Sequence, residues 1–168
     1  MPQHPQPPAP VLNIVLFQPE IPHNTGAVGR TCVALGAKLW LIQPLGFRIT
    51  DKNLRRAGLD YWQFLDWEIV SDWEDLTAKL PNLGRYFFLT KKASRLYTDA
   101  RFSPGDTLIF GSESNGLPPS LLETYSAQCL RIPIRPQTRS LNLSVSVGIT
   151  AYEAWRQLVA DDETEPIP

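Results

Sequence analysis

The sequence predicts an α/β fold, a mainly parallel sheet flanked by helices. Three observations carry that prediction. Short apolar runs recur along the 168 residues, several of them apolar at successive positions, as strands buried on both faces are. Stretches with apolar residues at helical spacing separate these runs. Proline and glycine punctuate the joints.

In chain order, Val11–Leu16 reads as a first strand, largely buried on both faces. Asn24–Gly36 reads as a helix, with Val28, Cys32 and Leu35 at helical spacing and Gly36 as its stop. Lys38–Gln43 is a second strand closed by Pro44 and Gly46, and Asp51–Gly58 a short basic helix. Glu68–Val70 is a weak strand, and Asp72–Leu80 a helix ended by Pro81. Arg85–Thr90 and Asp106–Gly111 are strong strands. Pro118–Tyr125 is a helix with proline in its first turn, Cys129–Pro133 a strand, and Leu141–Ala160 a long terminal helix. Residues 1–10 hold five prolines and residues 161–168 are acidic; both read as disordered tails around one domain spanning 11–160.

At 43% apolar residues the chain can bury a core, which excludes a wholly disordered protein. With no apolar run near membrane-spanning length and no basic-then-apolar leader, it reads as cytoplasmic. Cys32 and Cys129 are too few for a disulfide scaffold, and no cysteine or histidine spacing suits a metal. A net charge of −1 argues against a sequence-independent polyanion binder. The charge is unevenly placed, however. Leu76–Ala160 carries ten basic against five acidic residues, while acids gather in Asp60–Asp75 and the C-terminal tail. A local anion-binding surface fits that distribution, and solvated charged faces fit it equally well.

Ligands of parallel α/β sheets bind beyond the carboxyl ends of the strands, which singles out four stretches. Phe17–Arg30 places Asn24-Thr-Gly at a predicted helix start, whose unpaired N–H groups suit an anion. Arg30, six residues after Asn24 on an otherwise apolar helix, is expected to be a buried cation in need of a partner. A helix cap and a structural salt bridge would explain the same residues. Gly26 and Gly29 lack the rest of a dinucleotide fingerprint. Phe110–Pro118 follows a buried strand; its small residues admit a ligand to the backbone, and Glu113 sets a carboxylate among them. A simple Gly/Ser/Asn turn is the plainer reading, and no Walker lysine or G-x-S-x-G context accompanies it. Arg131–Ser144 spaces Arg131, Arg135 and Arg139 by four beside prolines that hold the chain extended, an arrangement open to phosphate contacts, and ends in residues equally suited to capping a helix. Lys52–Trp62 interleaves cations with aromatics, either as a nucleic-acid surface or as a basic helix face over core aromatics. His4 and His23 flank prolines, and no nucleophile motif stands beside His23. These residues describe a ligand site for an anionic polymer without naming a reaction.

In order and spacing, three of the stretches resemble the motifs of the SPOUT (trefoil-knot) RNA 2′-O-methyltransferases. The matching segments are Asn24-Thr-Gly to Arg30, Phe110-Gly-Ser-Glu113 to Gly116-Leu117, and Arg131-Ile-Pro-Ile to Ser140-Leu-Asn-Leu-Ser-Val145. The resemblance covers about Leu12 to Leu158. With Leu54–Tyr61 and Tyr152–Leu158, it is nearest to the small branch that methylates cytidine or uridine 34, the wobble nucleotide, of certain leucine tRNAs. The family resemblance implies a deep C-terminal knot and a homodimer. It also implies S-adenosylmethionine bent against Leu89, Gly111, Ile132, Ser140 and Leu141, with S-adenosylhomocysteine as product. Arg30 is then the central catalytic residue, with Asn24, Glu113 and Asn142 holding it and the ribose, and Glu113 pairing the guanidinium. An arginine pKa above about 12 excludes a literal general base, so Arg30 is expected to orient the hydroxyl while the adjacent phosphate takes the proton. RNA contacts are expected at Arg48, Lys52, Arg55 and Arg56, at Lys91, Lys92 and Arg95, and at Arg135 and Arg139. Ile149, Tyr152, Trp155 and Leu158 exceed what one buried helix face needs, which suits a dimer or a fully buried helix. Rival readings redirect the methyl group to rRNA or another tRNA position, or keep RNA binding without catalysis.

Overall fold

The computed structural model describes residues 9–50 and 59–161; the helix expected over Asp51–Gly58 lies outside the described residues. The apolar runs form six strands: β1 (Asn13–Phe17), β2 (Lys38–Ile42), β3 (Trp67–Val70), β4 (Tyr86–Leu89), β5 (Thr107–Phe110) and β6 (Cys129–Leu130). Every ladder is parallel, in the order β3-β2-β1-β5-β4-β6. Among the described residues, five α-helices accompany them: α1 (Pro22–Leu35), α2 (Leu59–Trp62), α3 (Trp73–Lys79), α4 (Pro119–Thr124) and α5 (Leu143–Asp161).

Alternation along the strands sorts the core into two layers. Ile14, Leu16, Leu108 and Phe110 join Val28, Cys32 and Leu35 of α1 and Val147, Ala151 and Ala154 of α5. Val15, Ile109, Tyr86 and Phe88 face the other way, onto Leu76 of α3 and Leu121 and Leu122 of α4. Leu76 is the buried anchor of α3, so Leu76→Ala would cost roughly 2–5 kcal/mol. Asp72 caps α3 by accepting from the Asp75 N–H at 2.9 Å. No helix among the described residues is long and apolar enough to cross a membrane.

β6 is shorter than the expected Cys129–Pro133. Pro133 has no N–H for a ladder. Arg131 instead donates to the Arg95 carbonyl at 2.9 Å and accepts from the Tyr97 N–H at 3.0 Å. α5 begins at Leu143 because Asn142 is its cap, and α1 begins at Pro22, earlier than Asn24.

Because all strands run one way, the sheet has an amino edge and a carboxyl edge. At the amino edge, Lys38 and Lys79 both bond Glu68, and Arg85 Nε donates to the buried Asp106 carboxylate at 2.6 Å. Asn13 there accepts from Trp40 Nε1 at 2.9 Å and donates to the Gly105 carbonyl at 3.1 Å.

Candidate active site

At the carboxyl edge, the loops leaving the strands enclose a cleft of about 830 Å³. Leu89 ends β4 and Thr90–Lys92 follow it, Phe110 ends β5 and Gly111–Leu117 follow it, Ile132 and Ile134 lie beyond β6, and Arg139–Leu143 complete the wall. Leu89, Gly111, Ile132, Ser140 and Leu141, the five residues expected to hold a cofactor, all line it. Aliphatic side chains beside backbone and hydroxyl groups make a pocket of the size and mixed character that a nucleoside-bearing ligand requires. Among the described residues, no His, Cys, Asp and Glu cluster could hold a metal ion.

Gly111 answers to a constraint other than ligand access. A Cβ at this position would lie 2.1 Å from the Gly116 carbonyl carbon and 2.3 Å from Leu117 N. The loop folds back on itself there: Gly116 N donates to the Ser112 carbonyl at 2.9 Å, and Gly116 takes φ 66°.

One predicted polar residue from each of the three motifs, Asn24, Glu113 and Asn142, meets the others at this cleft. Glu113 accepts from the Glu20 N–H at 2.8 Å, the Ile21 N–H at 3.1 Å and Asn24 Nδ2 at 3.1 Å. It supplies the start of α1 with acceptors that the cap residue Ile21 lacks, and its charge suits that helix end. Asn142 Nδ2 donates to Asn24 Oδ1 at 3.0 Å, while Asn142 Oδ1 accepts from the Ser144 N–H at 2.9 Å. Both Asn24 amide ends are thereby engaged, which fixes its orientation. The capping reading is met by Asn142 at α5, whereas Asn24 lies inside α1, whose cap is Ile21. Ser114 Oγ adds a bond to Glu20 at 2.6 Å.

Arg30 stands apart from this network, contrary to expectation. Its side chain is exposed, outside the cleft lining, and it forms no ion pair with Glu113. Two physical reasons account for this. The Glu113 oxygens are already engaged by backbone N–H groups and by Asn24. Arg30 also lies two residues from each of the buried Val28 and Cys32, about 200° around the helix from both. Its guanidinium rests over the ring of Tyr61, 4.9 Å from the centroid. The Tyr61 hydroxyl donates to the Gly26 carbonyl, and burial raises its pKa, so the phenol keeps its proton at neutral pH.

Of the expected RNA contacts, Lys91, Lys92 and Arg139 line the cleft, and Lys91 Nζ donates to the Arg139 carbonyl at 3.2 Å. Arg135 joins Lys91, Arg131 and Arg139 around an adjacent hollow of about 390 Å³. Among the described residues, none of Lys91, Lys92, Arg131, Arg135 and Arg139 forms an ion pair. Arg95 instead donates to the Asp99 carbonyl at 3.1 Å, and Arg48 is exposed and borders neither hollow. Lys52, Arg55 and Arg56 lie outside the described residues.

Residues 11–152 match the model of the SpoU rRNA methylase family, a span containing all three loops of the cleft. The chain belongs to the SpoU rRNA methylase family. A tRNA (cytidine(34)-2′-O)-methyltransferase of Burkholderia pseudomallei is 45% identical over 149 residues, 88% of this chain and 96% of that protein. A solved structure described as "Structural insights into the 2-OH methylation of C/U34 on tRNA" superposes with a TM-score of 0.84 at 46% identity, covering 89% of this chain and 97% of that one. An AdoMet-bound rRNA methyltransferase of Sinorhizobium meliloti superposes with a TM-score of 0.77 at 25% identity, covering 92% of this chain and 59% of that one.

Three further residues line the walls: Thr90, whose only signal was its place at a strand end, and Leu117 and Ile134, which stand inside the motif segments but were given no role there. Tyr61 was legible only as one aromatic in a cationic stretch; the better clue was a pair of glycines inside α1.

Proposed function

We propose that this protein transfers a methyl group from S-adenosylmethionine to the ribose 2′-hydroxyl of the wobble nucleotide, cytidine or uridine 34, in tRNA. The observation that carries the reading is the hydrogen-bonded chain Glu113–Asn24–Asn142 on the wall of the carboxyl-edge cleft. Relatives similar over nearly their whole length, and named for methylation at position 34, support the choice of nucleotide.

The cleft fits the methyl donor: Leu89, Leu117, Ile132 and Leu141 offer an apolar slot beside main-chain groups for an adenine edge. S-adenosylmethionine, when bound, supplies a methyl carbon made electrophilic by the sulfonium. The protein's own work is positioning. Asn24, Glu113 and Asn142 fix the loops that must face the ribose, and Arg30 orients the 2′-hydroxyl and its neighbouring phosphate, which accepts the proton. Lys91, Lys92, Arg135 and Arg139 hold the anticodon stem-loop through its phosphates.

The same reading carries the family's C-terminal trefoil knot, one catalytic domain over 11–160, a cytoplasmic site of action and a homodimer. On α5, Val145 and Tyr152 are each 47% exposed and available to a second copy. Trp155 and Leu158 pack against the chain's own core, so they contribute less to that face than their sequence pattern implied. A monomer by light scattering at micromolar concentration would remove the dimer from the reading.

The deciding experiment is labelled-methyl transfer to total tRNA followed by nucleoside mapping, with leucine isoacceptors tested first. The expected result is 2′-O-methylcytidine or 2′-O-methyluridine at position 34. Label on a base, or at another ribose, would overturn the assignment.

A further inference from the structure

Gly26 and Gly29 sit within the turn before Arg30, although glycine weakens a helix. The cleft gives no reason for either. The segment carrying α2 gives a reason for Gly29 and makes use of the Gly26 carbonyl. A Cβ at position 29 would lie 2.8 Å from Trp62 Cζ3 and 3.2 Å from Leu65 Cδ2, so the indole seats directly on the helix there. At position 26, the carbonyl accepts the Tyr61 hydroxyl. That carbonyl is also the one toward which helix geometry directs the N–H of Arg30. With its neighbour seated and its hydroxyl anchored one turn below Arg30, the Tyr61 ring lies 4.9 Å from the guanidinium carbon, in range of cation–π attraction.

We propose that Tyr61 is a positioning residue for methyl transfer: its anchored ring holds the exposed Arg30 guanidinium in one orientation before RNA arrives. The proposal rests on the reading of Arg30 as the group that meets the reacting ribose and phosphate. An unrestrained surface arginine samples many rotamers, and ordering it at the moment of reaction opposes catalysis. Tyr61 restricts that freedom beforehand through two contacts on one helical turn. α2, only four residues long, is then part of the catalytic apparatus through its contact with Arg30.

The test is a double-mutant cycle in single-turnover methyl transfer to tRNA. It compares the natural chain, Tyr61→Leu, Arg30→Lys and their combination, with Tyr61→Phe alongside. Tyr61→Leu should slow the maximal rate about tenfold and Tyr61→Phe about threefold, with S-adenosylmethionine affinity unchanged. In the Arg30→Lys background, Tyr61→Leu should add less than about a twofold loss, because both changes act through one group. Losses that multiply, a Tyr61→Leu protein at full rate, or a loss confined to cofactor affinity would overturn the proposal. If thermal melting shows that Tyr61→Leu does not fold, Tyr61→Phe takes its place: about a threefold loss with Arg30 present and none in the Arg30→Lys background. Full activity of Arg30→Lys alone would overturn the role of Arg30 itself, which separates failure of the underlying reading from failure of the Tyr61 proposal.

Discussion

At the amino edge of the sheet, Lys38, Lys79 and Glu68 hold one another, and Arg85 clamps the buried Asp106. At the carboxyl edge, Lys91, Lys92 and Arg139 border a cleft whose lining carboxylate, Glu113, is engaged by N–H donors and Asn24, while Glu20 outside the lining accepts from Ser114. The same parallel strands produce both edges. The difference lies in who answers the charge. Cations matched by carboxylates within the fold contribute architecture, whereas cations without such partners are available to a polyanion. The net charge of −1 averages two opposite arrangements and describes neither.

Substitutions at the two edges should therefore separate activity from stability. The largest effect is expected at Glu113. Glu113→Ala strips acceptors from two backbone N–H groups and Asn24, so methyl transfer should fall by about a hundredfold or more in kcat. Urea unfolding should also show a loss of roughly 1–3 kcal/mol. A variant with ordinary activity would mean that the network at the cleft is only a cap. Next comes Gly111→Ala, whose methyl group would drive the Gly116–Leu117 backbone out of place. Calorimetry should show S-adenosylmethionine affinity reduced by about tenfold or more, with overpacking costing roughly 1–3 kcal/mol.

Arg135→Ala probes the unpaired cations more gently. tRNA affinity should fall a few-fold and its salt slope by about one, with cofactor affinity unchanged. An unaltered slope would exclude this arginine from phosphate contact. The smallest effect belongs to the amino edge. The Lys79 and Lys38 ammonium groups beside Glu68 hold its carboxyl below the usual carboxylate range. A depressed folded-state pKa means that the carboxylate's stabilisation is complete above the unfolded value of about 4.3 and is lost as pH falls through the lower folded value. Glu68→Gln should thus lower the melting temperature slightly at pH 7, converge with the natural chain in acid, and leave kcat unchanged. A catalytic defect in Glu68→Gln would collapse the distinction between the edges.

Much of this architecture was legible in advance because short-range patterns encode it. Leu108, Ile109 and Phe110 read as a buried strand, and Leu89, Gly111, Ile132, Ser140 and Leu141 fell on the strand-end loops that do line the cleft. Arg30 was misplaced although its exposure could be read from its angular distance to Val28 and Cys32. The partner of Glu113 was not legible at all. Competition among a guanidinium, a side-chain amide and helix N–H groups is decided by tertiary geometry. Gly29 of α1 was visible, but its purpose required knowing that Trp62 lands on it.

The bond from Asn24 to Glu113 joins residues 89 positions apart, and the bond to Asn142 joins residues 118 apart. A ribosome therefore delivers Asn24 long before either partner exists. Until α5 begins to dock, the walls of the cleft cannot close, and a nascent chain carrying the first two motifs should be inert towards both donor and RNA. Contacts of such long range also form late in folding, because long loops must close before they are rewarded. Binding of the methyl donor would then favour the finished chain over its incomplete precursors. Competence for methyl transfer becomes a property of the last element to arrive.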